Sequence, residues 1–270
     1  MLTNLDNEVI FKRAFTDKLV FTSFVRDVLG IEIDVDKIET EKQFSPKIGN
    51  IDFKLDIFAE SKDKRVAIEL QRIQYDANFD RFLHYFLALI IEQQLRAKNY
   101  GIEQVVYPIV VMTEPYKISD KEGRPVRNEV LLMEINPKTL AGEKVHLYGH
   151  QFICLNPNHP EENTPQAIGD WLDLIYQSIH NPERPVLNKH HEGIQRAVEL
   201  ISYDLMPADQ VAAMKNAEAA RTVTFNNIYW QARKTAKVLH KKGISIAIIA
   251  EAVEFSEEEV QKMIDYKWED

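Results

Sequence analysis

A chain of 270 residues, 45% hydrophobic and 28% charged, is long enough for one large or two modest domains with buried cores, which excludes a disordered polymer. Its single cysteine, Cys154, excludes an internal disulfide framework and fits a reducing cytoplasm. The net charge of −9 excludes a surface coated in positive charge. The longest apolar run, Phe82 to Ile91, is too short to span a bilayer and contains His84, so no membrane association is expected. The opening residues, MLTNLDNEVIFKRAF, hold no apolar signal core, and a cytoplasmic location is expected.

Apolar residues at helical spacing predict a helix from Asn4 to Leu29, with Gly30 as its C-cap and with Glu8 and Lys12 on one face. Ile38 to Phe44 is a predicted strand that leads, through the turn signals Pro46 and Gly49, into a hairpin from Ile51 to Arg72. In its first arm Ile51, Phe53, Leu55 and Ile57 alternate with Asp52, Lys54, Asp56 and Phe58, the pattern of a strand with one buried face. The second arm alternates Val66, Ile68 and Leu70 with Ala67, Glu69 and Gln71. A tip at Lys62 and Asp63 sets Asp56 directly opposite Glu69. Cβ atoms of such a pair lie roughly 4.5 to 5.5 Å apart. Two carboxylates at that distance repel unless a divalent cation lies between them or one holds a proton.

A long helix is predicted from Phe79 to Asn99, with Phe79, Phe82, Leu83, Phe86, Leu89 and Ile90 as its apolar face and Arg81, Tyr85, Ala88 and Glu92 as a separate stripe. Val105 to Met112 reads as a buried strand in which Pro108 marks an edge or a bulge, and Glu129 to Ile135 and Gln151 to Leu155 as further strands. From Gln166 the pattern is helical, ending in a helix-turn-helix outline whose last helix starts at a capping box of Ser256 and Glu259. The expected division is 1–155, an α/β core; 156–220, a helical linking region; and 221–270, a basic helix with the terminal helix pair.

No acid occurs from Arg221 to Ala250. Placed at 100° per residue, Trp230, Arg233, Lys234, Lys237 and Lys241 fall on one side of that helix, and Phe225, Ile228, Tyr229, Ala232, Ala236 and Leu239 on the other. Cations interleaved with an exposed tryptophan suit phosphates and stacking bases; a solvated face is the plain alternative. The acidic last twenty residues offer the basic helix of a second copy a partner, and a homodimer formed through this tail is a third reading. His146, His150, Cys154 and His159 are closely spaced, but with one thiol among strand and turn residues they make a poor zinc site. His190 and His191 are expected at the surface. No Gly-rich phosphate loop and no GxSxG elbow occurs.

Five segments in order, NEVIFKRAF (7–15), LDIFAE (55–60), AIELQR (67–72), FDRFLHYF (79–86) and VVYPIVVMT (105–113), resemble the PD-(D/E)XK nuclease fold, and more narrowly the Rpn and PD-(D/E)XK-family transposase group. The resemblance covers about the first half of the chain. It implies a restriction-endonuclease-like core, a mixed sheet flanked by helices, followed by an all-helical C-terminal region. It implies a DNA endonuclease linked to recombination or mobile elements and associated with the nucleoid. Asp56, Glu69 and the Leu70 carbonyl would hold Mg²⁺, or Mn²⁺ in its place, while Gln71 stands where the superfamily's name has lysine. An amide orients water but supplies no charge, so the acidity falls to the metal. Arg81 and Tyr85 match the helix motif and would meet the phosphate or brace the acids; an ion pair of Arg81 with Glu8 is the structural alternative. Glu8 replaces the group's usual Asp, and Glu254 takes a turn position usually given to glycine, where it disfavours a tight turn. These departures and the acidic net charge leave a second reading, an inactive relative that binds DNA or protein.

Overall fold

The computed structural model describes residues 1–44, 54–72, 79–95, 100–116, 118–188 and 190–265. The expectations for Pro46, Gly49, Ile51, Asp52 and Phe53, for the helix end at Asn99, and for Glu269 and Asp270 lie outside the described residues. Packing divides the chain into two compact units, Met1–Val211 and Ala212–Asp270.

In the first unit, the single helix expected from Asn4 to Leu29 is two, α1 (Glu8–Phe15) and α2 (Lys18–Leu29). The Asn7 side chain accepts the Val9 N–H, and the Asp17 carboxylate accepts those of Leu19 and Val20, which starts a new helix after Thr16. Gly30, at φ 67°, closes α2 as expected.

Six strands form one mixed sheet: β1 (Ile38–Lys42), β2 (Leu55–Glu60), β3 (Lys64–Gln71), β4 (Val105–Met112), β5 (Val130–Glu134) and β6 (Gln151–Leu155), in the order β1-β2-β3-β4-β6-β5. The β3/β4 and β4/β6 pairs are parallel and the others antiparallel. The hairpin register is the expected one, Ile57 facing Ile68 and Phe58 facing Ala67. Pro108 does not mark an edge, because β4 is bonded on both sides. The proline is accommodated because its strand's pairing with β6 begins one residue later, at Ile109.

Helix α3 (Phe79–Glu92) connects β3 to β4 and packs on one face of the sheet, where Phe82, Phe86 and Leu89 meet Phe58, Ala67, Val110, Met112 and Phe152. Leu83, expected in the apolar face, is 40% exposed, while Glu92, in the other stripe, is 1% exposed. The reason is the row that β3 presents. Its alternate residues Arg65, Ala67, Glu69 and Gln71 share one face, and Arg65 is within 2.6 Å of Glu92 at one end while Arg81 reaches Gln71 at 3.5 Å at the other. The stripe Arg81, Tyr85, Ala88 and Glu92 therefore lies along β3, and both faces of the hairpin are buried.

Helices α4 (Gln166–His180) and α5 (Glu192–Ile201) pack with α1 and α2, and α1 touches β2. Their shared core holds Phe15, Phe24 and Trp171, with ring centroids 4.9 Å apart for Phe15 and Phe24 and 5.2 Å for Phe24 and Trp171. His191 is not a surface residue. Its Nδ1 accepts the Ile194 N–H, capping α5, and its Nε2 lies 2.6 Å from Asp27, which also accepts the Trp171 indole N–H. Gly193 is required there, because a Cβ would lie 2.5 Å from that of Ser23 in α2.

The second unit holds most of α6 (Ala208–Lys241), then α7 (Ile246–Val253) and α8 (Glu257–Asp265). The capping box forms: the Glu259 N–H donates to Ser256 Oγ at 3.2 Å and the Ser256 N–H to Glu259 Oε2 at 2.9 Å. The tight turn between α7 and α8 forms with Glu254 at φ 60°, the left-handed conformation that glycine would adopt without strain.

The Arg65–Glu92 pair is buried between β3 and α3, so removing Glu92 leaves the buried guanidinium with the half-exposed Glu60 as its remaining carboxylate among the described residues. Glu92→Ala is expected to cost about 3 to 5 kcal/mol in urea unfolding of the full chain. A loss below about 1 kcal/mol, the range of an exposed pair, would contradict this role.

Candidate active site

Backbone pairing of β2 with β3 ends at Ile57 and Ile68, and at the next level two side chains replace the main-chain partners. The Asp56 N–H donates to Glu69 Oε1 at 3.0 Å, and the Leu70 N–H donates to Asp56 Oδ2 at 3.0 Å. Each carboxylate is thus fixed by the strand that carries the other, and the two acids are brought together as the alternation requires. Glu69 is 3% exposed, and among the described residues its Oε2 has no hydrogen-bond donor. Burial, and then the neighbouring Asp56 charge, hold its carboxyl well above the usual carboxylate range, against the opposing pull of the Asp56 N–H, Arg81 and Lys12.

Gln71 and Arg81 stand beside the pair. Arg81 Nε donates to the Tyr85 hydroxyl at 2.7 Å and its Nη1 approaches Gln71 Oε1 at 3.5 Å, while the Gln71 amide donates to the Arg72 carbonyl. Arg81 is therefore bound to its own helix and to β3, not to Glu8. Burial raises the Tyr85 phenol above its usual value, against the Arg81 hydrogen bond, so it keeps its proton.

Glu8 lies exposed in the first turn of α1, and among the described residues it makes no hydrogen bond or ion pair. The buried acid of this segment is Asp6, which accepts from Thr113 Oγ1 at 2.7 Å and pairs with Arg72 Nε at 3.0 Å, tying the ends of β3 and β4 behind the site. Sequence reasoning missed Asp6, since nothing in LDNEVIF separates it from its neighbours before the sheet is assembled. It also left Lys12 out of the site, although Lys12 Nζ lies 3.8 Å from Asp56 Oδ1 and pairs with Glu41, which in turn pairs with Lys54.

Two carboxylates of opposed strands, one with an oxygen that takes no donor among the described residues, with a main-chain carbonyl at Leu70 next to them, form a hard-oxygen set that fits Mg²⁺. Mg²⁺ is commonly held by one or two carboxylates, with waters and phosphate completing its shell. Among the described residues no group of three or more His, Cys, Asp or Glu converges. His150 Nδ1 accepts the Val106 N–H, His159 Nε2 accepts the Tyr116 N–H, and Cys154 lies in the core under α3.

On α6, Trp230, Lys234 and Lys241 are exposed and Lys237 is half-buried. Lost solvation and the like charges of Arg233 and Lys241 hold the Lys237 ammonium below the usual lysine range. Arg233 departs from this face: it is 5% exposed, donates to the Met263 carbonyl in the last turn of α8, and lies 4.8 Å from the Trp230 ring centroid. It serves the packing of α6 on α8, where its charge meets the carbonyl end of a helix.

The raised Glu69 carboxyl fixes a pH dependence. Without metal, the stability it contributes is fully present below the unfolded carboxylate pKa of about 4.3 and is lost as pH rises through the higher folded value. Glu69→Gln in chelator-treated protein is expected to melt above wild type near pH 8 and level with it near pH 4. Adding Mg²⁺ is expected to raise the melting temperature of wild type and leave that of the variant unchanged. Parallel wild-type and variant curves across this range would contradict the assignment.

Among curated proteins nothing matches the chain. A solved structure, that of an fdxN element excision controlling factor protein from Anabaena variabilis, aligns at 18% identity over 36% of this chain and 67% of its own, with a TM-score of 0.18 that is too low to bear on the fold. The model of the PD-(D/E)XK nuclease family transposases matches residues 6–224, most of the chain and all of the sheet with the paired acids. Among the described residues no helix is long and apolar enough to cross a membrane. The chain belongs to the PD-(D/E)XK nuclease family transposases.

Proposed function

We propose that the protein is a metal-dependent DNA endonuclease that hydrolyses phosphodiester bonds, with Asp56 and Glu69, and the Leu70 carbonyl, as the residues that hold Mg²⁺ or Mn²⁺. The observation that carries this reading is the opposition of the two carboxylates, each pinned by a backbone N–H of the other's strand. Bound there, a divalent cation lowers the pKa of water and stabilises charge on the phosphate.

The chain's own groups do the rest. Gln71 offers an amide that orients the attacking water by hydrogen bonding and takes no proton. Arg81, held by Tyr85, keeps positive charge on the Glu69 side of the pair and faces the phosphate with its remaining donors. Tyr85 fixes the guanidinium plane and retains its own proton. Glu8 has no part in this assignment, being exposed and without a partner among the described residues.

In the second unit, Trp230, Lys234, Lys237 and Lys241 form a surface for the DNA backbone, with the partly exposed tryptophan as the aromatic contact of that surface. A role in recombination or transposition is the setting that the family supports.

Plasmid nicking by the purified full chain tests the reading. Wild type is expected to nick supercoiled DNA in Mg²⁺ or Mn²⁺ and not in EDTA, and Asp56→Ala and Glu69→Ala are each expected to lose at least about 1,000-fold while keeping the wild-type circular dichroism spectrum. Nicking that survives both substitutions would refute it. DNA binding that depends on Lys234 and Lys241, with no cleavage in either metal, would favour the inactive relative.

A further inference from the structure

Gln71 leaves the acid pair without the cation that a lysine at its position would provide, and the structure places one there from another element. Lys12 Nζ is 3.8 Å from Asp56 Oδ1, beyond a direct hydrogen bond and close enough for its charge to act on the pair. Its side chain is 19% exposed, so the stem is packed and the ammonium is delivered to a defined place. Arg81, the other cation near the pair, is held by Tyr85 and Gln71 on the Glu69 side. On the Asp56 side, Lys12 is the cation within reach among the described residues.

Lys12 is also held. Glu41 pairs with it and with Lys54. The register that joins Thr40 to Ile57 and Lys42 to Leu55 sets Glu41 level with Asp56, yet Glu41 has a φ of 57° in the left-handed region. A non-glycine residue keeps that costly conformation where its surroundings impose it, and such positions gather at functional sites. An ordinary surface ion pair between Glu41 and a lysine gives little stability in return. The strain is accounted for if the carboxylate's task is to hold the Lys12 ammonium at the acids.

We infer that Lys12 is the cationic catalytic residue of the site, its ammonium meeting the phosphate of the substrate in place of the lysine that Gln71 supplants, and that Glu41 is its positioning residue. This rests on the nuclease reading. No bond is made or broken by the ammonium itself; it donates hydrogen bonds to phosphate oxygens as negative charge accumulates on them.

The test uses the full chain as wild type, Lys12→Met, and the double variant Lys12→Met with Gln71→Lys, measuring plasmid nicking, and Mn²⁺ binding by electron paramagnetic resonance. Lys12→Met is expected to lose at least about 100-fold in nicking, the scale of one lost transition-state donor. It is expected to bind Mn²⁺ more tightly than wild type, because a like charge has been removed beside the acids. Restoring a lysine at position 71 is expected to recover at least about tenfold, which a merely structural Lys12 would not allow. Nicking by Lys12→Met within about threefold of wild type, or no recovery in the double variant, overturns the inference. If Lys12→Met does not fold, Glu41→Gln replaces it: a loss of about tenfold in nicking with Mn²⁺ still bound supports the inference, and unchanged nicking overturns it. If wild type cuts nothing, the nuclease reading and the catalytic role fail together. If wild type cuts and Lys12→Met cuts equally well, the inference alone fails.

Discussion

Two acid groups held face to face are the constraint on which this structure turns. Asp56 and Glu69 occupy opposed positions of a hairpin, and the chain brings them together by giving each a main-chain donor on the other's strand. That exchange replaces the backbone ladder and sets the carboxylates' orientation, at the cost of burying Glu69 with one oxygen lacking a donor among the described residues. A buried acid in this position is not a stability device, because burial and Asp56 both oppose its ionisation. The arrangement is understandable as a preformed seat for a divalent cation, with family membership supplying the independent support.

The rest of the first unit can be read as the frame for that seat. Helix α3 lies along β3 through one stripe: Glu92 grips Arg65 at one end, Ala88 and Ala67 belong to the same packed core, and Arg81 with Tyr85 faces Gln71 and Glu69 at the other. From the opposite side of the chain's order, Asp6 ties Arg72 and Thr113 together and holds the ends of β3 and β4 in step. Structure and site thus share residues, with the polar groups that fix the register also flanking the chemistry.

Much of this was legible in the residues, for physical reasons that can be named. A two-residue period and a polar tip specify a register, since a slip by one would turn every side chain to the other face, and so Ile57 facing Ile68 followed from the sequence. Capping is equally local, which is why Gly30 and the Ser256–Glu259 box appear where expected. What was not legible depends on neighbours distant in sequence. Helical spacing placed Arg233 among the exposed cations, but the approach of α8 buries it against the Met263 carbonyl. Spacing also put Leu83 in the core and left Glu92 out, because the charge that Glu92 meets lies on a strand. The family motif points to Glu8 in α1, whereas the acid that the fold buries is Asp6. Pro108 signals an edge or a bulge, and β4 lies inside the sheet with its pairing to β6 beginning just past the proline. Neither Glu41 nor Lys12 carried a signal, since their association with Asp56 exists only after β1, β2 and α1 meet.

The central claim is that a divalent cation sits between the opposed acids. Anomalous scattering from a crystal soaked in Mn²⁺ tests it most directly. One strong anomalous peak is expected, bonded to carboxylate oxygens of both Asp56 and Glu69 and absent from crystals of Glu69→Ala. A peak elsewhere in the chain, or no peak at the pair in a crystal that leaves the site open to solvent, would contradict it.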